Sequence, residues 1–184
     1  MAIDLRDFQQ QLWTRIEQSS SAVDQSKHLA FIAGSENWLI DLQDAEALVP
    51  LAAVCAVPTT KAWLVGLVNV RGILYTVVDL SLFRGMAPTP RNMNSRLIVL
   101  SPRFGINASL LVTQTTGLKN LPTFTARGPV AGTPAWIREQ RVDSQGQVFN
   151  EIDVGLLVAD EKFLHVSAAA DAGLKLPQHR TSTQ

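Results

Sequence analysis

Residues 3–18 repeat apolar positions at intervals of three and four. Leu5, Phe8, Leu12 and Ile16 share a stripe, with Arg6, Gln9, Gln10 and Glu17 between them, and this period predicts an amphipathic helix. Asp4 stands where an N-cap belongs. Ser19-Ser20-Ser21 ends the run and reads as a linker. The helix is either an arm packed on the parent domain or a docking element for a partner.

From residue 28 the period changes. Short apolar runs alternate with turn residues every 8–12 positions, the pattern of barrels and sandwiches. Runs 28–33 and 37–42 flank Gly34-Ser35-Glu36 and predict a hairpin. Runs 64–70 and 73–78 flank Arg71-Gly72, 96–100 and 108–113 flank residues 101–105, and 136–142 and 147–152 flank residues 143–146. Each pair predicts a further hairpin. Residues 84–95 and 122–135 are rich in Gly and Pro and read as exposed loops. Residues 44–49 fit a helical turn or a strand. Residues 154–165 predict a helix capped by Asp153, and 176–184 read as a frayed tail.

Two segments share a plan. Val77-Val78-Asp79-Leu80 and Glu151-Ile152-Asp153-Val154 each end an apolar strand in Asp before a helical turn. A carboxylate there can accept from the free N–H groups of the turn. The repetition suggests two similar lobes.

Composition narrows the function. The 184 residues are 46% hydrophobic and 17% charged, which supports one domain or two small lobes on a shared core. Sixteen basic residues balance sixteen acidic ones, so no overall field draws the chain to nucleic acid or anionic lipid. Cys55 is the single cysteine; its apolar neighbours predict a small buried residue rather than a reactive thiol. The best apolar stretch, 47–60, is interrupted by Pro50 and Pro58 and is too short to span a membrane. Asp4, Arg6 and Asp7 sit where a secretory signal would begin its apolar run, and the expected location is the cytoplasm. Trp13, Trp38, Trp63 and Trp136 are spread along the chain and predict packing residues rather than a partner anchor.

Little here suggests chemistry. His28, His165 and His179 lack ligand spacing, and there is no nucleophile elbow, P-loop or dinucleotide fingerprint. Asp79 follows Val77-Val78 as a receiver-domain phosphoacceptor would. The acidic pair and alternating helices of that fold are missing, so helix capping is the preferred role. A phospho-receiver using Asp79 is the rival class.

The most specific stretch is Trp63-Leu64-Val65-Gly66-Leu67-Val68-Asn69-Val70-Arg71-Gly72, followed by Ile73-Leu74-Tyr75-Thr76-Val77-Val78-Asp79-Leu80. It resembles the signature of CheW-like domains. Val57-Pro58, Leu110-Leu111-Val112, Gly117-Leu118 and residues 148–153 extend the resemblance over about 28–166. Within the family the likeness is to the branch serving type IV pilus chemosensory systems. The resemblance implies an all-β fold with short helices: two SH3-like five-stranded barrels around a shared hydrophobic core, preceded by the helical arm. The implied division is an arm and linker at 1–27, the domain at 28–166 and a tail at 167–184.

The resemblance also implies a non-enzymatic adaptor without cofactor or small-molecule substrate. It would couple the cytoplasmic tip of a methyl-accepting chemoreceptor to the regulatory domain of a CheA-type histidine kinase, with no nucleic-acid partner and no direct membrane insertion. Ala45, Arg71 and Leu118 match positions on the family's receptor-facing groove, and Asn69 is either structural or a partner contact. Gly66, Gly72, Asp79 and Asp153 form the structural signature. Arg71, set between two apolar strands, would need an acid or carbonyls. Ala47 stands where the family often has Glu, leaving Glu46 or Asp44 as the available acids, and Thr113 stands where many members carry Asp.

Overall fold

The computed structural model describes residues 27–167. The predicted helix at 3–18, with Trp13, and the predicted tail at 176–184 lie outside them. Eleven strands are described: β1 (Lys27–Ala33), β2 (Glu36–Asp41), β3 (Ala45–Pro50), β4 (Leu64–Val70), β5 (Ile73–Asp79), β6 (Arg96–Leu100), β7 (Ala108–Val112), β8 (Gln114–Asn120), β9 (Thr125–Gly128), β10 (Ile137–Val142) and β11 (Val148–Ile152). Two short α-helices follow strand ends, α1 (Leu80–Phe83) and α2 (Val154–Ala159), and a third, α3 (Glu161–Leu164), follows α2.

The four hairpins form where turn residues predict them, β1–β2, β4–β5, β6–β7 and β10–β11, all antiparallel. The sheets have the orders β8-β1-β2-β11-β10-β9 and β3-β6-β7-β5-β4. One lobe therefore has six strands where five are expected. β11 joins β2 and β7 joins β5 in parallel, so in each sheet a parallel pair joins two hairpins. The five-stranded sheet is one continuous stretch of chain, β3 to β7, inserted between β2 and β8 of the other sheet.

Alternation along the strands makes one core between the sheets and a smaller one on each outer face. Leu29, Phe31, Trp38 and Ile40 of the six-stranded sheet meet Leu64, Val78, Ile98 and Leu110 of the five-stranded sheet. Val77, on the opposite face from Val78, packs instead with Val68, Tyr75 and Leu97. Phe124 and Phe149 close the third cluster edge to face, their centroids 5.3 Å apart. Trp38, Trp63 and Trp136 are buried as predicted. Trp38 stacks on Trp136 at 5.8 Å, and Phe83 contacts both Trp63 and Trp136.

The repeated plan is visible in backbone bonding. The N–H of Asp79 donates to the carbonyl of Trp63 (2.8 Å), and the N–H of Asp153 donates to that of Trp136 (2.9 Å). In each lobe a Trp precedes a hairpin whose second strand ends in a capping Asp. Asp153 Oδ1 accepts from Leu156 N at 3.0 Å, and Asp79 Oδ1 accepts from Ser81 N and Leu82 N at 3.0 and 3.2 Å.

Several expectations are corrected. Residues 154–165 are two helices, because Asp160 adopts an extended conformation between them and caps the second through Lys162 N. Loop 122–135 contains β9, which pairs with β10. Loop 84–95 is not wholly exposed: Thr89 and Ser95 are buried, and Thr89 is bonded to Asp79. Residues 45–50 settle as a strand. Cys55 is exposed, since its segment runs along the open side of β4 and presents the side chain outward while its backbone pairs with Leu67. That pairing explains Gly66. Its φ is +145°, and a Cβ there would lie 2.2 Å from the carbonyl oxygen of Cys55.

A groove between two sheet edges

β3 ends one sheet and β8 ends the other, and each lacks a strand partner on one side. Between them runs an apolar groove of about 360 Å³. Ala45, Ala47 and Leu48 of β3 form one wall and Thr115, Gly117 and Leu118 of β8 the other, while Leu29 and Leu42 also line it. Register sets this arrangement: Leu29 lies opposite Leu118 in the β1–β8 pair. Two large side chains stand open at the walls, Leu118 at 59% exposure and Leu48 at 44%.

Glu46 belongs to the same wall, at a register shift between Ala45 and Ala47. Its Oε2 accepts from the hydroxyl of Tyr75 at 3.2 Å. Burial, then the Glu46 bond and charge, push the Tyr75 phenol up against the opposing pull of Arg71. Asp44, just before β3, pairs with Arg103, whose guanidinium lies 4.9 Å from the Phe104 ring centroid.

Both acids considered for Arg71 are therefore engaged elsewhere. Arg71 is also not buried between strands. It is exposed at the hairpin tip, beyond the last β4–β5 pair, and no acid lies within ion-pair distance of it among the described residues. Arg71 (φ 53°) and Gly72 (φ 89°) both take positive φ, the requirement of a tight two-residue hairpin turn. Asn69 Oδ1 accepts from Gly72 N at 2.8 Å, so its amide braces the turn. Thus Ala45 and Leu118 share the groove, whereas Asn69 and Arg71 do not line it. The charge of Arg71 acts on Tyr75, the hydrogen-bond partner of Glu46 in the β3 wall. Ile73 and Leu74, next to the turn, are exposed.

Sequence reasoning missed Leu29, Leu48, Thr115 and Gly117. β8 reads Gln-Thr-Thr-Gly-Leu-Lys-Asn, too polar to register as a strand. It also missed a cluster on the six-stranded sheet. Buried Glu151 pairs with Arg141, has Arg138 at 3.4 Å and His28 at 3.8 Å, and Arg138 also reaches Asp153 at 2.8 Å. Burial alone would raise the Glu151 carboxyl; bonds and charge from His28 and Arg141 outweigh it and hold the pKa at about 2. The Thr113 hydroxyl is buried without a hydrogen-bond partner.

Asp79 cannot act as an exposed phosphoacceptor. It is 2% exposed and both oxygens are occupied, Oδ2 by Thr89 N (2.8 Å) and Oδ1 by the Thr89 hydroxyl (2.7 Å) and the helix N–H groups. Among the described residues no group of three His, Cys, Asp or Glu could hold a metal, and no helix is long and apolar enough to cross a membrane.

Two sheets, one inserted in the chain of the other, with a groove between their edges define a β-rich two-lobed module. The fold is that of the scaffolding protein TtCheW from Thermoanaerobacter tengcongensis, with a TM-score of 0.63, 20% identity, and coverage of 74% of this chain and 94% of that one. Residues 27–162 match the CheW-like domain, and the chain belongs to that family. No curated protein matches the sequence.

Proposed function

We propose that this protein is a chemosensory coupling adaptor, joining the cytoplasmic tip of a methyl-accepting receptor to the regulatory domain of a CheA-type histidine kinase. The observation that carries the reading is the groove between β3 and β8, with Leu118 and Leu48 open at its walls. Such a trough suits the apolar face of a receptor helix. The adaptor performs no bond-making step. It holds two partners in fixed geometry, so a receptor state that favours one arrangement biases the kinase.

The finer resemblance is to PilI, the CheW-type adaptor of the type IV pilus system. It rests on Lys61-Ala62-Trp63, Asn69-Val70-Arg71-Gly72 and Leu110-Leu111-Val112 with Gly117-Leu118. In this reading the protein works in the cytoplasm, recruited to receptor arrays, and serves twitching motility.

The test is affinity for receptor-tip fragments and for kinase regulatory domains from the same genome. Leu118→Asp is expected to weaken receptor binding tenfold or more, about 1.4 kcal/mol, and to leave kinase binding intact. Unchanged receptor affinity in a folded Leu118→Asp variant would remove the groove from the receptor site.

A further inference from the structure

We propose that residues 3–18 dock in cis into the groove between β3 and β8, so that the chain carries its own competitor for that site. The competition rests on the receptor-site reading above; the docking does not.

Three observations converge. The first is the pattern of the segment. Leu5, Phe8, Leu12 and Ile16 are spaced as the anchors of a helix laid in a trough, and in helical form they would span about 17 Å. The second is the groove. Its walls are two partnerless sheet edges, and Leu48, Leu118 and Leu29 offer apolar contact on both sides and between them. Ile73 and Leu74 at the hairpin tip and Leu156 and Leu164 on the C-terminal helices are also exposed, but they do not line this groove.

The third is the tether. The described chain begins at Lys27, which lies opposite Asn120 of β8, and two residues on Leu29 lies opposite Leu118. The segment is therefore joined to the fold beside the groove wall. Residues 19–26 contain Ser19-Ser20-Ser21. Eight extended residues reach up to roughly 28 Å, enough for the stripe to turn back along the groove. A short tether also holds the stripe at an effective concentration of order millimolar, so a modest intrinsic affinity is enough to occupy the site. Receptor arrays would displace the arm by presenting many receptor tips at once.

The experiment uses the full chain with Cys55→Ser, which removes the sole cysteine. Leu12→Cys is combined with Leu118→Cys or, as the control, with Leu74→Cys, and mild oxidation is followed by non-reducing mass analysis. The expected result is an intrachain link for the Leu118 pair and none for the Leu74 pair. Links between chains only, equal linking at Leu74, or no link at either position would overturn cis docking. Hydrogen exchange gives a second readout: amides of 45–48 and 114–118 are expected to exchange at least fivefold faster in Phe8→Asp/Leu12→Asp, and unchanged exchange would count against the proposal.

Receptor binding then tests the competition. Phe8→Asp/Leu12→Asp is expected to raise affinity for the receptor-tip fragment threefold or more. If linking succeeds but Leu118→Asp leaves receptor binding unchanged, the receptor-site reading fails and cis docking stands. If Leu118→Asp abolishes receptor binding and the arm variant leaves it unaltered, competition is overturned.

Discussion

Asp79 holds Thr89 by both backbone and side chain: its Oδ2 accepts from the Thr89 N–H at 2.8 Å and its Oδ1 from the Thr89 hydroxyl at 2.7 Å. The Thr89 hydroxyl also lies 3.1 Å from that of Ser81. One carboxylate thus caps α1 and pins the loop at 84–95 to the core. Asp79→Ala would leave several buried donors without an acceptor and is expected to cost about 3–5 kcal/mol. Asp79→Asn keeps one acceptor but turns an NH2 toward a donor, so an intermediate loss is expected. Chemical denaturation of both variants checks the order. Two equal, small losses would mean that the loop holds without this anchor.

The Glu151 carboxyl gives stability a defined acid dependence. Its folded pKa of about 2 lies below the ordinary value of 4.5. Below 4.5 the unfolded chain takes up a proton that the folded chain refuses. The contribution is therefore complete above pH 4.5 and lost as pH falls from 4.5 toward 2, a change of about 3 kcal/mol at most. Glu151→Gln is expected to flatten stability over that interval in a urea titration. An unaltered slope would show that other carboxylates dominate it.

Gly66 and Gly72 both have positive φ, yet they should respond differently to alanine. At Gly66 the new methyl meets the Cys55 carbonyl, and at Gly72 nothing lies within 4 Å. Gly72→Ala is expected to cost about 1–2 kcal/mol, the left-handed penalty alone. Gly66→Ala should cost more and detach the Cys55 segment from β4. Thermal melts, with hydrogen exchange of the Leu67 amide, separate the two effects.

Asn69 acts on the turn through one acceptor oxygen. Asn69→Asp retains such an oxygen and is expected to be near neutral, whereas Asn69→Ala should cost about 1 kcal/mol. A loss of partner binding in a fully stable Asn69→Ala variant would give this residue a direct role in contact.

The hairpins were legible in the sequence because turn chemistry is local: Gly34, Arg71-Gly72 and the 143–146 turn each sit between runs that pair immediately. β8 and β9 were not, because edge strands need little apolar content, and residues such as Gln114, Thr115 and Lys119 mask the period. The groove joins three distant segments, around Leu29, Ala45 and Leu118, and no local pattern announces that meeting. Ala45 and Leu118 were accessible through family resemblance alone. The apolar flanks of Arg71 suggest a buried setting, but a two-residue turn projects past the end of the ladder it closes and leaves the side chain exposed. Cys55 was misjudged for a related reason: an apolar neighbourhood along the chain does not decide which way an edge segment turns its side chains.

The insertion of one sheet within the chain of the other sets an order of assembly during synthesis. Strands β3 to β7 emerge together and have all their partners by Val112. The β1–β2 hairpin, made first, is too small to persist alone. Its outer neighbours arrive later: Leu29 waits for Leu118, made just after β7, and Asn37 waits for Phe149, in the last strand. These long-range closures are the slow steps for a chain of this topology. Until the ribosome has released β11, Trp38 and Ile40 lack Ile152, Val154, Leu157 and Phe163 of their shared core and have an open strand edge beside them. The nascent protein is thus most prone to mispairing late in translation, when most of its residues are already made.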